Sequence, residues 1–165
     1  MGNALRVAVL VLSAFLSACM TRQARVETPA TQVLFVCEHG NVKSLMAALY
    51  FNEMVRARDL PFRAASRGSA PDSNAVPDFV KAPLTAEGFD VSGFRPRAVT
   101  RDDLAASEYV ISISTTLPVD DSAATTNIEE WNDIPAASTD YDRARYSIKG
   151  HIADLVQRLE TERGR

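Results

Sequence analysis

One stretch of the sequence decides the fold: Val33-Leu34-Phe35-Val36-Cys37-Glu38-His39-Gly40-Asn41-Val42-Lys43-Ser44. The apolar run at its start predicts a buried strand, and residues 45–56 after it predict an α-helix. A single cysteine therefore stands between the end of a strand and the start of a helix. The N-terminus of a helix carries unpaired N–H groups and a partial positive charge, which together favour bound anions and thiolates.

We interpret Cys37 as a nucleophile, because it stands at the exit of the strand. A cysteine in the middle of a strand is more often a core residue. The residues after it form a loop whose backbone amides we expect to surround an oxyanion, with a charge and a hydroxyl added at the start of the helix. These predicted oxyanion-binding residues are Glu38, His39, Gly40, Asn41, Val42, Lys43 and Ser44.

Strands and helices alternate along the rest of the chain, which predicts an α/β fold with a parallel sheet and ligands at the carboxyl ends of its strands. Further strands are predicted at residues 62–66, 109–113 and 128–131, and a final helix at 148–159. With 165 residues, of which 46% are hydrophobic, we expect one domain, at 32–162. Arg67 and Asp133 follow predicted strand ends, as Cys37 does.

The order strand, cysteine, five residues, basic residue, serine and helix resembles low-molecular-weight protein tyrosine phosphatases and the thiol-dependent arsenate reductases that share their fold. The resemblance covers Gln32 to Leu159. It implies a three-layer α/β/α fold with a four-stranded parallel sheet. The family loop reads Cys-x5-Arg-Ser/Thr, and Lys43 stands here in place of the arginine.

The resemblance also implies roles for individual residues. Cys37 would attack the substrate, and Lys43 with the loop amides would hold the oxyanion. Asp133 is the candidate general acid, because the family places an Asp-Pro pair late in the chain and Asp133-Ile134-Pro135 is a one-residue variant of it. We expect the neighbouring Trp131 and Ile134 to raise the pKa of Asp133 by lowering the local dielectric. Arg67 either reaches the anion or is a surface residue.

Three functions fit these residues. The first is a phosphate monoester hydrolase that works through a cysteinyl-phosphate and needs no metal or organic cofactor. The second is an arsenate reductase that uses an external thiol, since Cys37 and Cys19 are the two cysteines and lipidation would consume Cys19. The third is a non-catalytic oxyanion-binding lipoprotein. Residues 136–138, Ala-Ala-Ser, lack the aromatic side chains that follow the acid in family members acting on phosphotyrosine.

The N-terminus resembles a bacterial lipoprotein signal: Arg6, an apolar run at 7–15, and Leu16-Ser17-Ala18-Cys19. It predicts a signal peptide at 1–18, a lipidated Cys19 and a tether at 19–31. The protein would then be anchored to a membrane on the periplasmic side of the cell envelope. Translation from Met20 would instead leave it in the cytoplasm. The net charge of -3, without a cluster of basic residues, argues against nucleic acid as a partner.

Overall fold

The computed structural model describes residues 31–118 and 127–164. The predicted signal peptide and Cys19 lie outside them, as does the predicted tether up to residue 30. Within the described residues, no helix combines the length and the apolar character needed to cross a membrane.

Four strands and four helices make up the described part of the chain. They are β1 (Thr31–Cys37), α1 (Lys43–Ala57), β2 (Phe62–Gly68), α2 (Asp78–Ala86), α3 (Arg101–Ala105), β3 (Tyr109–Ile113), β4 (Asn127–Trp131) and α4 (Tyr141–Arg163). Each predicted strand is present, and β3 has the predicted bounds. Helix α1 begins at Lys43, two residues earlier than predicted, so Lys43 and Ser44 lie in its first turn.

The four strands form one parallel sheet in the order β2-β1-β3-β4. The predicted parallel sheet is therefore confirmed. Cys37 pairs in register with Gly68, and Ile113 pairs with Trp131, so neighbouring strands end level with one another. The loops that follow all four strands consequently meet at one edge of the sheet, where parallel α/β proteins bind ligands.

Each face of the sheet carries its own core. Phe35 packs against Phe51 of α1 and Trp131 of β4, with ring centroids 5.8 and 5.5 Å apart. The opposite face buries a smaller group, in which Leu34 and Val36 of β1 cluster with Leu104 of α3. These two cores confirm the three-layer α/β/α arrangement. Because side chains alternate along a strand, Cys37 shares the face of Phe35 and lies on the side of α1.

Candidate active site

The Cys37 side chain lies at the exit of β1 among hydrogen-bond donors, and the residue is only 3% exposed. Its Sγ atom lies 3.0 Å from Ser44 Oγ and accepts hydrogen bonds from the backbone N–H groups of Gly40, at 3.3 Å, and Ser44, at 3.5 Å. Hydrogen bonds to a charged atom favour its charged form. This geometry is suited to holding a thiolate that can act as a nucleophile.

A second serine supports the first. Ser66 Oγ, on β2, lies 2.9 Å from Ser44 Oγ and 3.0 Å from the carbonyl oxygen of Gly40. Both hydroxyls are buried, so their positions are fixed by these contacts and not by solvent. Sequence reasoning missed Ser66. One signal could have found it: Ser66 is a polar residue on the same face of β2 as Ala64 and Gly68. Small side chains on that face let α1 and the cysteine loop pack close to β2.

The cysteine loop, residues 38–42, is held against the end of β2 by its backbone. Ser69 N donates to Cys37 O at 2.9 Å, and Ala70 N donates to Glu38 O at 2.8 Å. Gly40 has a φ of +74°, and a Cβ atom built on it would lie 2.5 Å from Gly68 N. Glycine at position 40 is therefore required both by the left-handed backbone and by the close approach of the two chain segments.

The first turn of α1 faces the same pocket as the cysteine. Val42 is the N-cap residue and makes no side-chain capping bond, which leaves first-turn N–H groups for a bound anion. Lys43 lines the pocket and is partly buried. Burial lowers the pKa of the Lys43 ammonium, and the negative charges of Cys37 and Glu38 oppose that shift. Lys43 and Cys37 thus line one pocket and interact electrostatically.

The cavity beside Cys37 has a volume of about 400 Å³. The loops after all four strands line it: the cysteine loop, the segment with Asp72 and Phe79, Ser114 after β3, and residues 136–138 after β4. Asn41 links two of these segments, because its Nδ2 donates to Ala75 O at 2.7 Å. Among the described residues, no group of three or more His, Cys, Asp or Glu side chains is arranged to hold a metal ion.

Arg67 does not reach this pocket. Its guanidinium pairs with Asp103 at 2.6 Å, and both side chains are largely buried. Arg67 neighbours Ser66 on β2, so its side chain points to the other face of the sheet, toward α3. The structure therefore does not support Arg67 as an oxyanion ligand, nor does it leave it as a free surface residue.

Asp133 also lies outside the residues that line the pocket. Its carboxylate lies 2.8 and 3.0 Å from His151 Nε2 on α4, and its side chain is 67% exposed. The hydrogen bond to His151 lowers the pKa of Asp133, against the expected rise. Trp131 stacks on the His151 ring, with centroids 4.7 Å apart, and does not cover the carboxylate. An exposed carboxyl with a lowered pKa outside the pocket is poorly suited to act as a general acid near neutral pH.

Solved structures with the same fold include enzymes of two kinds. A low molecular weight phosphotyrosine phosphatase from Vibrio cholerae matches with a TM-score of 0.71 and 16% identity, over 81% of this chain and 99% of that one. A thioredoxin-dependent arsenate reductase from Corynebacterium glutamicum matches with a TM-score of 0.66 and 23% identity, over 83% and 65% of the two chains. YfkJ from Bacillus subtilis matches with a TM-score of 0.70 and 20% identity, over 82% and 98%.

A search of the curated proteins found no match. The family model described as "Low molecular weight phosphotyrosine protein phosphatase" matches residues 32–154, which include the cysteine loop, all of the sheet except its first residue, and most of the helical layers. The resemblance predicted from the strand, the cysteine loop and the helix is thereby confirmed. The chain belongs to the low molecular weight phosphotyrosine protein phosphatase family.

Proposed function

We propose that the protein is a cysteine-dependent phosphate monoester hydrolase. The observation that carries this proposal is the setting of Cys37 Sγ, with Gly40 N, Ser44 N and Ser44 Oγ around it at the base of the pocket that Lys43 also lines. A nucleophile and an oxyanion site must lie together for a covalent phosphoryl intermediate to form. Family membership supports the same chemistry.

In the proposed reaction, the Cys37 thiolate attacks phosphorus, an S–P bond forms and the bond to the ester oxygen breaks. The loop amides and the Lys43 ammonium hold the non-bridging oxygens. Water then attacks the cysteinyl-phosphate, which releases inorganic phosphate and restores the thiolate. Pre-organised N–H groups stabilise charge on the transferred group without reorganising during the step.

A second candidate function is arsenate reduction. Cys37 is the only free cysteine among residues 31–118 and 127–164. A Cys37–arsenate adduct would therefore need an external thiol to resolve it, whereas phosphoryl transfer to water needs no second sulfur. The third candidate, oxyanion binding without turnover, would use the same loop.

A substrate panel separates the three candidates. We expect the protein to release phosphate from aryl phosphates without added thiol and to form a phosphoryl adduct on Cys37 that acid quenching traps for mass spectrometry. Arsenite production from arsenate that depends on added thiol, with no ester hydrolysis, would favour the reductase. Phosphate binding with neither activity would leave a binding protein.

Replacing Lys43 tests the oxyanion site. A charge-assisted hydrogen bond contributes about 1.5 to 3 kcal/mol, so Lys43→Ala should lower kcat/KM for an aryl phosphate by about one to two decades. Lys43→Arg should raise kcat/KM, because arginine offers two parallel donors in a plane to a phosphate. Arg67→Ala is the control, since Arg67 pairs with Asp103 outside the pocket and should leave kcat/KM unchanged.

The pH dependence of the same variants adds a second readout. A lowered pKa means that Lys43 loses its charge at a lower pH than an ordinary lysine does. With an activated ester such as 2,4-dinitrophenyl phosphate, whose leaving group needs no proton donor, the kcat/KM of the wild type should therefore fall on the alkaline side as Lys43 deprotonates. Lys43→Arg should extend the plateau to higher pH, because arginine stays charged. Unchanged kcat/KM and pH profile in both Lys43 variants would show that Lys43 does not hold the substrate.

A further inference from the structure

The proposed hydrolysis needs a group that gives a proton to the leaving ester oxygen, and Asp133 does not line the pocket. Besides Cys37, the titratable side chains that line it are Glu38, His39, Lys43 and Asp72. We propose that His39 is the proton donor of this enzyme and that Asp72 positions its ring. This inference rests on the proposed phosphatase function and names a residue of that same site.

His39 lies between two loops. It belongs to the cysteine loop, whose backbone is fixed by the hydrogen bond from Ala70 N to Glu38 O. Its Nδ1 lies 3.0 Å from Asp72 Oδ1, a carboxylate on the segment after β2. The pair is at ion-pair distance, but Nδ1 makes no hydrogen bond to the carboxylate in this geometry. Catalytic contacts are often loosely aligned before substrate binds and tighten in the complex.

The two nitrogens of the ring are not equivalent. Nδ1 is buried, whereas the side chain as a whole is 44% exposed. Nε2 lies 3.8 Å from Glu38 Oε2, and the Glu38 side chain is itself exposed. With Nδ1 buried beside a carboxylate, Nε2 is the nitrogen left to exchange a proton with a substrate.

The other lining groups are less suited to this role. Lys43 lies in the first turn of α1, where its charge serves the oxyanion. Glu38 and Asp72 are 67% and 68% exposed, so neither carboxylate is enclosed in the pocket. Histidine is the side chain type that is best suited to both donating and accepting a proton in catalysis. His39 lines the pocket and has a carboxylate beside its buried ring nitrogen.

The proton transfers balance over the two steps. In the first, the Cys37–phosphorus bond forms, the bond from phosphorus to the ester oxygen breaks, and that oxygen takes the proton from His39 Nε2 and leaves as the alcohol or phenol. In the second, water attacks phosphorus and gives a proton back to His39 Nε2. A new P–O bond forms from the water oxygen, and the S–P bond breaks with its electron pair going to sulfur. Inorganic phosphate is released and the Cys37 thiolate is restored.

The test compares two esters, phenyl phosphate with a poor leaving group and 2,4-dinitrophenyl phosphate with an activated one, by kcat/KM. We expect His39→Asn to lose about two to four orders of magnitude on phenyl phosphate and less than about tenfold on the dinitrophenyl ester. Asp133→Asn should not lower kcat/KM on phenyl phosphate more than on the dinitrophenyl ester. Asp72→Asn should show a smaller loss on phenyl phosphate than His39→Asn does, with a displaced alkaline-side limb in its pH profile, because Asp72 faces the group that must carry the proton.

Each other outcome has a definite meaning. If His39→Asn lowers kcat/KM equally on both esters, or if Asp133→Asn lowers it mainly on phenyl phosphate, His39 is not the proton donor. The phosphatase proposal would still stand in either case, provided that the wild type hydrolyses the esters through Cys37. A wild type without Cys37-dependent phosphate release would overturn both. Binding of inorganic phosphate checks that the loop is intact. If His39→Asn and His39→Gln both fail to bind it, His39 is structural and the inference is wrong.

Discussion

Cys37→Ser is expected to reduce the hydrolysis of aryl phosphates by at least about four orders of magnitude, the scale of losing a nucleophile. Serine occupies nearly the same volume, but its hydroxyl is not ionised near neutral pH. Its Oγ can keep the contacts that Sγ makes with Gly40 N and Ser44 Oγ. The oxyanion site should therefore survive the substitution, and inorganic phosphate should bind within a few fold of the wild-type affinity. The measurements are kcat/KM and phosphate binding by calorimetry.

The phosphoryl adduct gives an independent readout of the same variant. Acid-quenched wild type should carry one added phosphoryl group on the peptide that contains Cys37, and the Cys37→Ser variant should carry none. Ser66→Ala is a useful comparison, because it removes a buried hydroxyl near Ser44 without touching the nucleophile. It should slow the reaction and still show the adduct. Full activity in Cys37→Ser would end the proposed mechanism.

The fold was predictable because its signals are local. Apolar runs, turn residues and the helical spacing of Ile148, Ile152 and Leu155 each act over a few residues, and the alternation of strands with helices then implies a parallel sheet. Helix α1 begins two residues before the predicted start at Leu45, because the predicted helix began with the first apolar residue after the loop. Tertiary contacts decide that position, because Ser44 N faces Cys37 Sγ across the loop.

The site was predictable only where it is contiguous in sequence. Cys37, Lys43 and Ser44 come together through one loop and one helix turn. Asp133 contacts His151, which is 18 residues away on another element, and no local pattern predicts that pair. Asp133 and His151 are both polar and lie at the surface. Taken singly in the sequence, each resembles an ordinary solvent-exposed residue.

Strand alternation would have placed Arg67 correctly. Ala64, Ser66 and Gly68 are buried on the face toward α1, and the residues between them point away. Position 67 therefore lies on the face opposite α1, where Arg67 meets Asp103 of α3. The position at a strand end suggested a ligand, but only the face of the strand decides whether such a residue reaches the pocket.

Gly40→Ala is expected to destabilise the fold and abolish most of the activity, because two costs coincide at this residue. The left-handed backbone with a φ of +74° costs an alanine about 1–2 kcal/mol. Its Cβ would also lie 2.5 Å from Gly68 N and 2.8 Å from Arg67 C, backbone atoms of β2 that cannot rotate away. Overpacking of this kind costs about 1–3 kcal/mol more. The loop must then move off β2, which takes Gly40 N away from Cys37 Sγ.

Gly88→Ala is the matched control, because Gly88 also has a positive φ, of +92°, and its added Cβ would meet nothing within 4 Å. It should lose about 1–2 kcal/mol of unfolding free energy from backbone strain and keep the activity of the wild type. Urea denaturation of both variants separates strain from collision, and kcat/KM for an aryl phosphate reports the loop. Since the collision is with the strand end that holds the cysteine loop, the loss of activity in Gly40→Ala should persist at temperatures where the variant is fully folded. Equal stability losses in the two variants, with activity retained in both, would show that the contact between Gly40 and Gly68 does not position the nucleophile.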